Sequence, residues 1–113
     1  TIVLSHGTPL LAVGSPGGAT IITTVLQTLL NRLDFGMTLP QAIAAPRVSE
    51  RNGTSSQAEP GFATAGLAAL GHTFSATPEI GAATGVELLR DGRVLAAAEP
   101  TRRGGGSAGV VRP

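Results

Sequence analysis

The sequence predicts an α/β domain of the α+β kind, on three observations. Apolar side chains recur at Ile21, Ile22, Val25, Leu26, Leu29, Leu30 and Leu33, steps of one, three and four that keep one stripe on a 3.6-residue helix. Ahead of that stripe, two short apolar, partly β-branched runs flank His6-Gly7, the two-residue spacing of a hairpin. Far behind it, Val86 to Arg90 and Arg93 to Ala98 flank Asp91-Gly92, a type I′ hairpin signal.

The elements follow in order as ββαααβββ. Thr1 to Ser5 and Thr8 to Val13 make the first hairpin. The long helix begins beyond Gly18 and ends between Asp34 and Gly36, where glycine supplies the left-handed residue that closes a helix. Thr38-Leu39-Pro40-Gln41 is a capping-box pattern with proline in the first turn, and Pro46 stops that second helix near Ala45. Residues from Glu50 to Pro60 are polar and aperiodic and are expected as an exposed loop. Gly61 to Leu70 is expected as a small Ala-rich helix ending at Gly71, and Thr73 to Thr77 as a short strand. From Glu99 the chain turns Arg- and Gly-rich. Gly104-Gly105-Gly106 has no side chains to bury against its ordering entropy, so residues 1–98 form the domain and 99–113 a tail that only a partner surface fixes.

A chain of 113 residues is one domain or part of one. With aromatics at 3% and no Trp or Tyr, it has no stacking platform for single-stranded nucleic acid and no aromatic sugar-binding face. The pI near 9.0 looks basic, but the net charge is only +1, because all eight basic residues are arginines that stay protonated; no nucleic-acid partner follows. The absence of cysteine excludes disulfides, thiolate metal sites and a Cys nucleophile within the chain. No apolar run is long enough to span a bilayer.

Gly14-Ser15-Pro16-Gly17-Gly18 lies between the strand and the helix. The first N–H groups of a helix lack partners and sit at its positive end, so a glycine pair there lets an oxygen approach the backbone. Phosphate, carboxylate or a developing oxyanion would fit, and so would a plain tight turn. The segment is not a P-loop, since the chain has no lysine, and it matches neither G-x-G-x-x-G nor G-x-S-x-G. Ser5-His6 adjoins a turn and reads as exposed. His72 follows a helix stop, and the two histidines lack metal-ligand spacing. No metal or cofactor is expected. The acidic residues are scattered, and Arg47, Arg102 and Arg103 are expected in structural pairing, although arginine also binds carboxylates.

The order of Gly14-Ser15-Pro16-Gly17-Gly18, Ile21-Ile22-Thr23-Thr24-Val25-Leu26-Gln27, Asp34-Phe35-Gly36-Met37 and Ala45-Pro46-Arg47 resembles γ-glutamyltranspeptidase. So do Gly71-His72, the Asp91-Gly92 hairpin and Glu99-Pro100-Thr101-Arg102-Arg103-Gly104. The resemblance implies the C-terminal part of the small subunit of an N-terminal-nucleophile (Ntn) hydrolase, an αββα sandwich cut from a precursor. It implies cleavage of γ-glutamyl amides such as glutathione, with transfer to water or an amine, and an oxyanion hole built from the N–H groups of Gly17 and Gly18.

Thr1-Ile2-Val3-Leu4 matches the strand before the glycine turn rather than the family's Thr-Thr-His-x-Ser-like opening. The nucleophile is therefore expected upstream, the isolated chain inactive, and its partners the rest of the small subunit and the large subunit. A periplasmic or extracellular location is implied by the resemblance alone. Val48-Ser49-Glu50-Arg51-Asn52 departs from the His- and Gln-containing segment of many members, and Glu99-Pro100-Thr101 replaces an Asp-Pro-Arg run. The competing expectations are a non-catalytic anion-binding domain and a degenerate homologue without its upstream Thr.

Overall fold

The computed structural model describes residues 1–113. The first hairpin pairs β1 (Ile2–Ser5) with β2 (Thr8–Gly14) through His6 and Gly7, both at positive φ (51° and 82°), the geometry of a type I′ turn. A 3₁₀ turn at Gly18–Thr20 leads into α1 (Ile21–Leu33). In α2 (Leu39–Ala44), the Gln41 N–H donates to Thr38 Oγ1 at 3.4 Å and the Thr38 N–H to Gln41 Oε1 at 3.0 Å, the reciprocal bonds of a capping box. Ala45, ahead of Pro46, is extended as expected.

Then come β3 (Val48–Ser49), β4 (Ser56–Ala58), α3 (Ala65–Ala68), β5 (Phe74–Ala76), β6 (Thr84–Leu88), β7 (Val94–Ala98) and β8 (Ala108–Val111). They build a five-stranded antiparallel sheet, β1-β2-β6-β7-β8, and a three-stranded sheet, β3-β4-β5, in which β4 and β5 run parallel.

Four expectations are corrected. The segment 50–60 is not all exposed loop: it contains β4, whose Ser56 and Ala58 are buried, and Glu59 beyond it is buried too. A three-residue strand is too short to show a period, and its partner β5 lies far along the chain. Residues 99–113 do not form a tail awaiting a partner: Arg102 is buried against Glu59 and Glu99, and β8 pairs with β7. The Ala-rich helix shrinks to four residues, because Gly61 stands at φ +86° and no side chain caps its start. The second hairpin turn is not type I′. Gly92 N–H donates to Leu89 O and Leu89 N–H to Arg93 O, with Gly92 alone at positive φ (81°), which is a type I turn followed by a glycine bulge.

The core, Leu11, Val13, Val25, Leu39, Ile43, Ala83 and Ala97, lies between α1 and α2 and one face of the larger sheet. The helix stripe is only half used. Thr24 and Thr28 are fully buried, whereas Ile22 is 77% and Leu26 52% exposed. Seven apolar positions are wider than one contact surface, and Thr28 tolerates burial because its hydroxyl donates to Thr24 O at 2.9 Å. The sheet's other face carries the register row Ile2, Ala12, Val86, Ala96 and Gly109, apolar and uncovered, with Ile2 72% exposed.

Candidate active site

Gly14 ends β2 opposite Thr84, and the chain leaves the sheet through Ser15 and Pro16 to enter α1. Gly17 and Gly18 take positive φ in succession, 141° and 57°. A Cβ on Gly17 would lie 2.4 Å from Thr20 Oγ1, so both conformation and space demand glycine there. A Cβ on Gly18 would meet nothing within 4 Å: this residue faces open space. Neither N–H donates to any acceptor of the chain. Two adjacent backbone donors are therefore free at a helix entrance, where the peptide dipoles favour negative charge.

The turn is held from behind. Thr20 Oγ1 donates to Gly17 O at 3.0 Å, Ser15 Oγ donates to Pro16 O at 2.7 Å, and the Ala82 N–H donates to Ser15 Oγ at 3.0 Å. Gly81, at φ +64°, packs beneath: a Cβ there would lie 2.7 Å from Ser15 Oγ and 2.5 Å from Thr24 Oγ1. Sequence reading missed Gly81, for which a lone glycine after Pro78-Glu79-Ile80 is a weak signal. Gly81→Ala is expected to destabilise the protein by about 1–3 kcal/mol through this overpacking, read from the urea midpoint. An unchanged midpoint would show that Ser15 and Thr24 yield freely.

Gly81 is in turn anchored through Ile80 to a buried ionic cluster. The Glu59 carboxylate accepts the N–H groups of Arg47 and Ile80 and both Nε and Nη2 of Arg102. Arg47 Nη1 donates to Ile80 O at 2.8 Å and Nη2 to Glu99 Oε2 at 2.9 Å, and Arg102 Nη1 donates to Glu99 Oε1 at 2.8 Å. Burial alone would raise the Glu59 pKa, but the hydrogen bonds from Arg102, Ile80 and Arg47 together hold it below the usual carboxylate range. Burial and then the neighbouring Arg102 push the Arg47 pKa down. At Arg102 burial pulls the same way but is outweighed by Glu59 and Glu99, leaving its pKa raised.

The structural pairing expected of Arg47 and Arg102 is present; Arg103 differs, offering its backbone N–H to Glu79 Oε2 at 3.2 Å while its side chain has no carboxylate partner. Ser5 Oγ reaches His6 Nδ1 at 3.2 Å because His6 has left the strand, yet both are exposed and no acid orients the ring. His72 is exposed. Thr1 lies in the ladder, its amine donating to Val13 O and its carbonyl accepting the Val13 N–H, each at 2.9 Å.

The helix-backed sheet with its glycine entrance is part of an Ntn-hydrolase αββα sandwich, as superposition on solved enzymes shows. A γ-glutamyltranspeptidase of Pseudomonas nitroreducens matches all of this chain and 61% of its own at a TM-score of 0.81 and 29% identity. A cephalosporin acylase of Bacillus halodurans matches 96% of this chain and 21% of its own, at a TM-score of 0.79 and 25% identity. The sequence matches the gamma-glutamyltranspeptidase family model over residues 1–109, and the chain belongs to that family. The glutathione hydrolase proenzyme of Bacillus subtilis (strain 168) is 33% identical over 97% of this chain. The chain spans 19% of that relative's length.

Proposed function

We propose that the chain is the C-terminal part of a γ-glutamyltransferase that cleaves γ-glutamyl amides such as glutathione, and that Gly17 and Gly18 form its oxyanion hole. The observation that carries this reading is the pair of free N–H groups at consecutive positive-φ glycines. An upstream Thr attacks the γ-carbonyl with its own α-amino group as base. The carbonyl oxygen gains negative charge and is met by the two N–H groups. The C–N bond then breaks, the amine leaves with the transferred proton, and the acyl-enzyme passes to water or an acceptor amine.

The uncovered apolar sheet row and the exposed half of the α1 stripe support a partner layer supplied by the rest of the precursor. Relatives described as proenzymes support the same view. An amidase acting on other acyl groups is a second reading, favoured by the 31% identity to an acylase proenzyme of Pseudomonas sp. (strain SE83) over 86% of this chain.

The test is release of p-nitroaniline from γ-glutamyl-p-nitroanilide by the chain alone and by the chain extended upstream to its relatives' length. Activity is expected only from the extended protein, and Thr1→Ala is expected to leave it active. Thr1-dependent activity of the isolated chain would overturn the placement of the nucleophile. An extended protein that releases a cephalosporin side chain but no p-nitroaniline would favour the acylase reading.

A further inference from the structure

The free N–H groups of Gly17 and Gly18 belong to peptide groups whose other ends are the carbonyls of Pro16 and Gly17. A side-chain hydroxyl binds each of those carbonyls. Ser15 Oγ donates to Pro16 O at 2.7 Å, and Thr20 Oγ1 donates to Gly17 O at 3.0 Å. Gly17 O also accepts the Thr20 N–H at 3.1 Å, which uses both of its lone pairs. Ser15 is engaged from behind in turn, since the Ala82 N–H donates to its Oγ at 3.0 Å. One chain of hydrogen bonds therefore runs from the Ala82 N–H through the Ser15 hydroxyl to the Pro16–Gly17 peptide and its free N–H.

The fold makes room for both hydroxyls. A Cβ on Gly17 would collide with Thr20 Oγ1, and a Cβ on Gly81 would lie 2.7 Å from Ser15 Oγ, so two glycines are bare on the sides where a hydroxyl must reach a carbonyl. Serine and threonine at a helix start ordinarily accept a backbone N–H of that helix. Thr20, the N-cap residue of α1, accepts none, and Ser15 accepts that of the distant Ala82; both hydroxyls donate to the turn's carbonyls instead. A donor on a carbonyl oxygen draws electrons along the amide resonance from nitrogen to oxygen, which strengthens the N–H of the same peptide as a donor. It also fixes the peptide plane, and with it the N–H direction, before a substrate arrives.

We propose that Ser15 and Thr20 are positioning residues of the oxyanion hole, their hydroxyls orienting and polarising the two peptides whose N–H groups meet the developing negative charge. The proposal rests on Gly17 and Gly18 being that hole. Each hydroxyl has a single proton and already gives it to a carbonyl, so each acts through a peptide rather than on the substrate. The charge exists in the transition state and not in the bound amide, so the effect falls on kcat rather than on KM. One backbone donor is worth about 100- to 1,000-fold in kcat, and a cooperative partner strengthens a hydrogen bond by about 10–30%, so each hydroxyl contributes about two- to eightfold.

The experiment uses the complete enzyme. Thr20→Val keeps the shape of the side chain and removes the hydroxyl, whereas Thr20→Ser keeps the hydroxyl. With γ-glutamyl-p-nitroanilide, Thr20→Val is expected to lose about two- to eightfold in kcat at unchanged KM, Thr20→Ser to keep the wild-type kcat, and Ser15→Ala to lose as much as Thr20→Val. The second readout is the inhibition constant of the boronic acid analogue of glutamate. The nucleophile's oxygen adds to boron, its proton passing to the α-amino group, and the tetrahedral boronate brings negative charge to the hole. That constant should rise by the factor by which kcat falls. A lowered urea midpoint with kcat and the inhibition constant unmoved is what a merely structural role gives, and it overturns the proposal; so does a Thr20→Ser enzyme no better than Thr20→Val. An unmoved kcat in Thr20→Val beside a collapsed kcat in Gly18→Pro overturns the positioning role and leaves the glycine-pair reading intact. A wild-type kcat in Gly18→Pro overturns that reading and the positioning role with it.

Discussion

Gly18→Pro in the complete enzyme is expected to lower kcat about 100- to 1,000-fold, the cost of removing one oxyanion donor, with a much smaller change in KM. Proline has no N–H, so the developing charge would lose one of its two backbone donors. Proline is also held near φ −65°, whereas Gly18 stands at +57°, so the substitution disturbs the turn as well. Gly18→Ala controls for the added side chain. It keeps the N–H, its Cβ meets nothing within 4 Å, and it bears only the strain of a positive φ. Near-normal kcat in Gly18→Ala beside a collapsed kcat in Gly18→Pro, with Gly18→Pro keeping its KM and its urea midpoint, would assign the loss to the missing donor rather than to a disturbed turn. Equal losses in both would assign it to loop shape and remove the basis for an oxyanion hole.

Glu59→Gln is expected to destabilise the protein by about 3–5 kcal/mol, because it leaves Arg102 in a buried site with one of its two counter-charges gone. The change keeps volume and removes only charge and acceptor strength, so a urea unfolding curve reports the electrostatic loss rather than a cavity. The acid side follows from the same carboxylate. The Glu59 pKa lies below its unfolded value, so its stabilisation is fully present above about pH 4.3, the ordinary glutamate value, and is lost as pH falls through the folded pKa. The stability of wild type should therefore fall between pH 5 and 2 more steeply than that of Glu59→Gln. Parallel pH curves, or a loss at neutral pH below about 0.5 kcal/mol, would show that the cluster contributes little. Because Ile80 joins this cluster to Gly81 and the glycine turn, the variant should also lose turnover at temperatures where it stays folded.

Where local chemistry decides structure, the chain could be read directly. The helix α1, the Thr38–Gln41 capping box, the His6-Gly7 turn and the halt before Pro46 each depend on residues close together in the chain, and each is present as read. The glycine pair was legible too, since its position between an apolar strand and a helix is a sequence property. The Asp91-Gly92 signal located its hairpin but not its turn type, because Asp91 does not take the positive φ that type I′ requires.

What escaped the sequence depended on distant partners. The strand β4 exists because β3 and the distant β5 lie on either side of it, and β8 because β7 offers an edge. Arg102 is buried rather than solvated because Glu59, 43 residues away, and Glu99 meet it inside the fold. Gly81 acquires its role only once the chain brings it beneath Ser15 and Thr24. By itself, then, the sequence carried the resemblance to the family through its ordered blocks, and it determined the helix entrance and the identity of the two glycines, since those follow from local spacing and backbone freedom. The tertiary structure alone decided that both N–H groups stay free and that an ionic cluster braces the turn. Hydrogen-bond satisfaction and charge pairing are settled between residues far apart in the chain, and no local pattern encodes them.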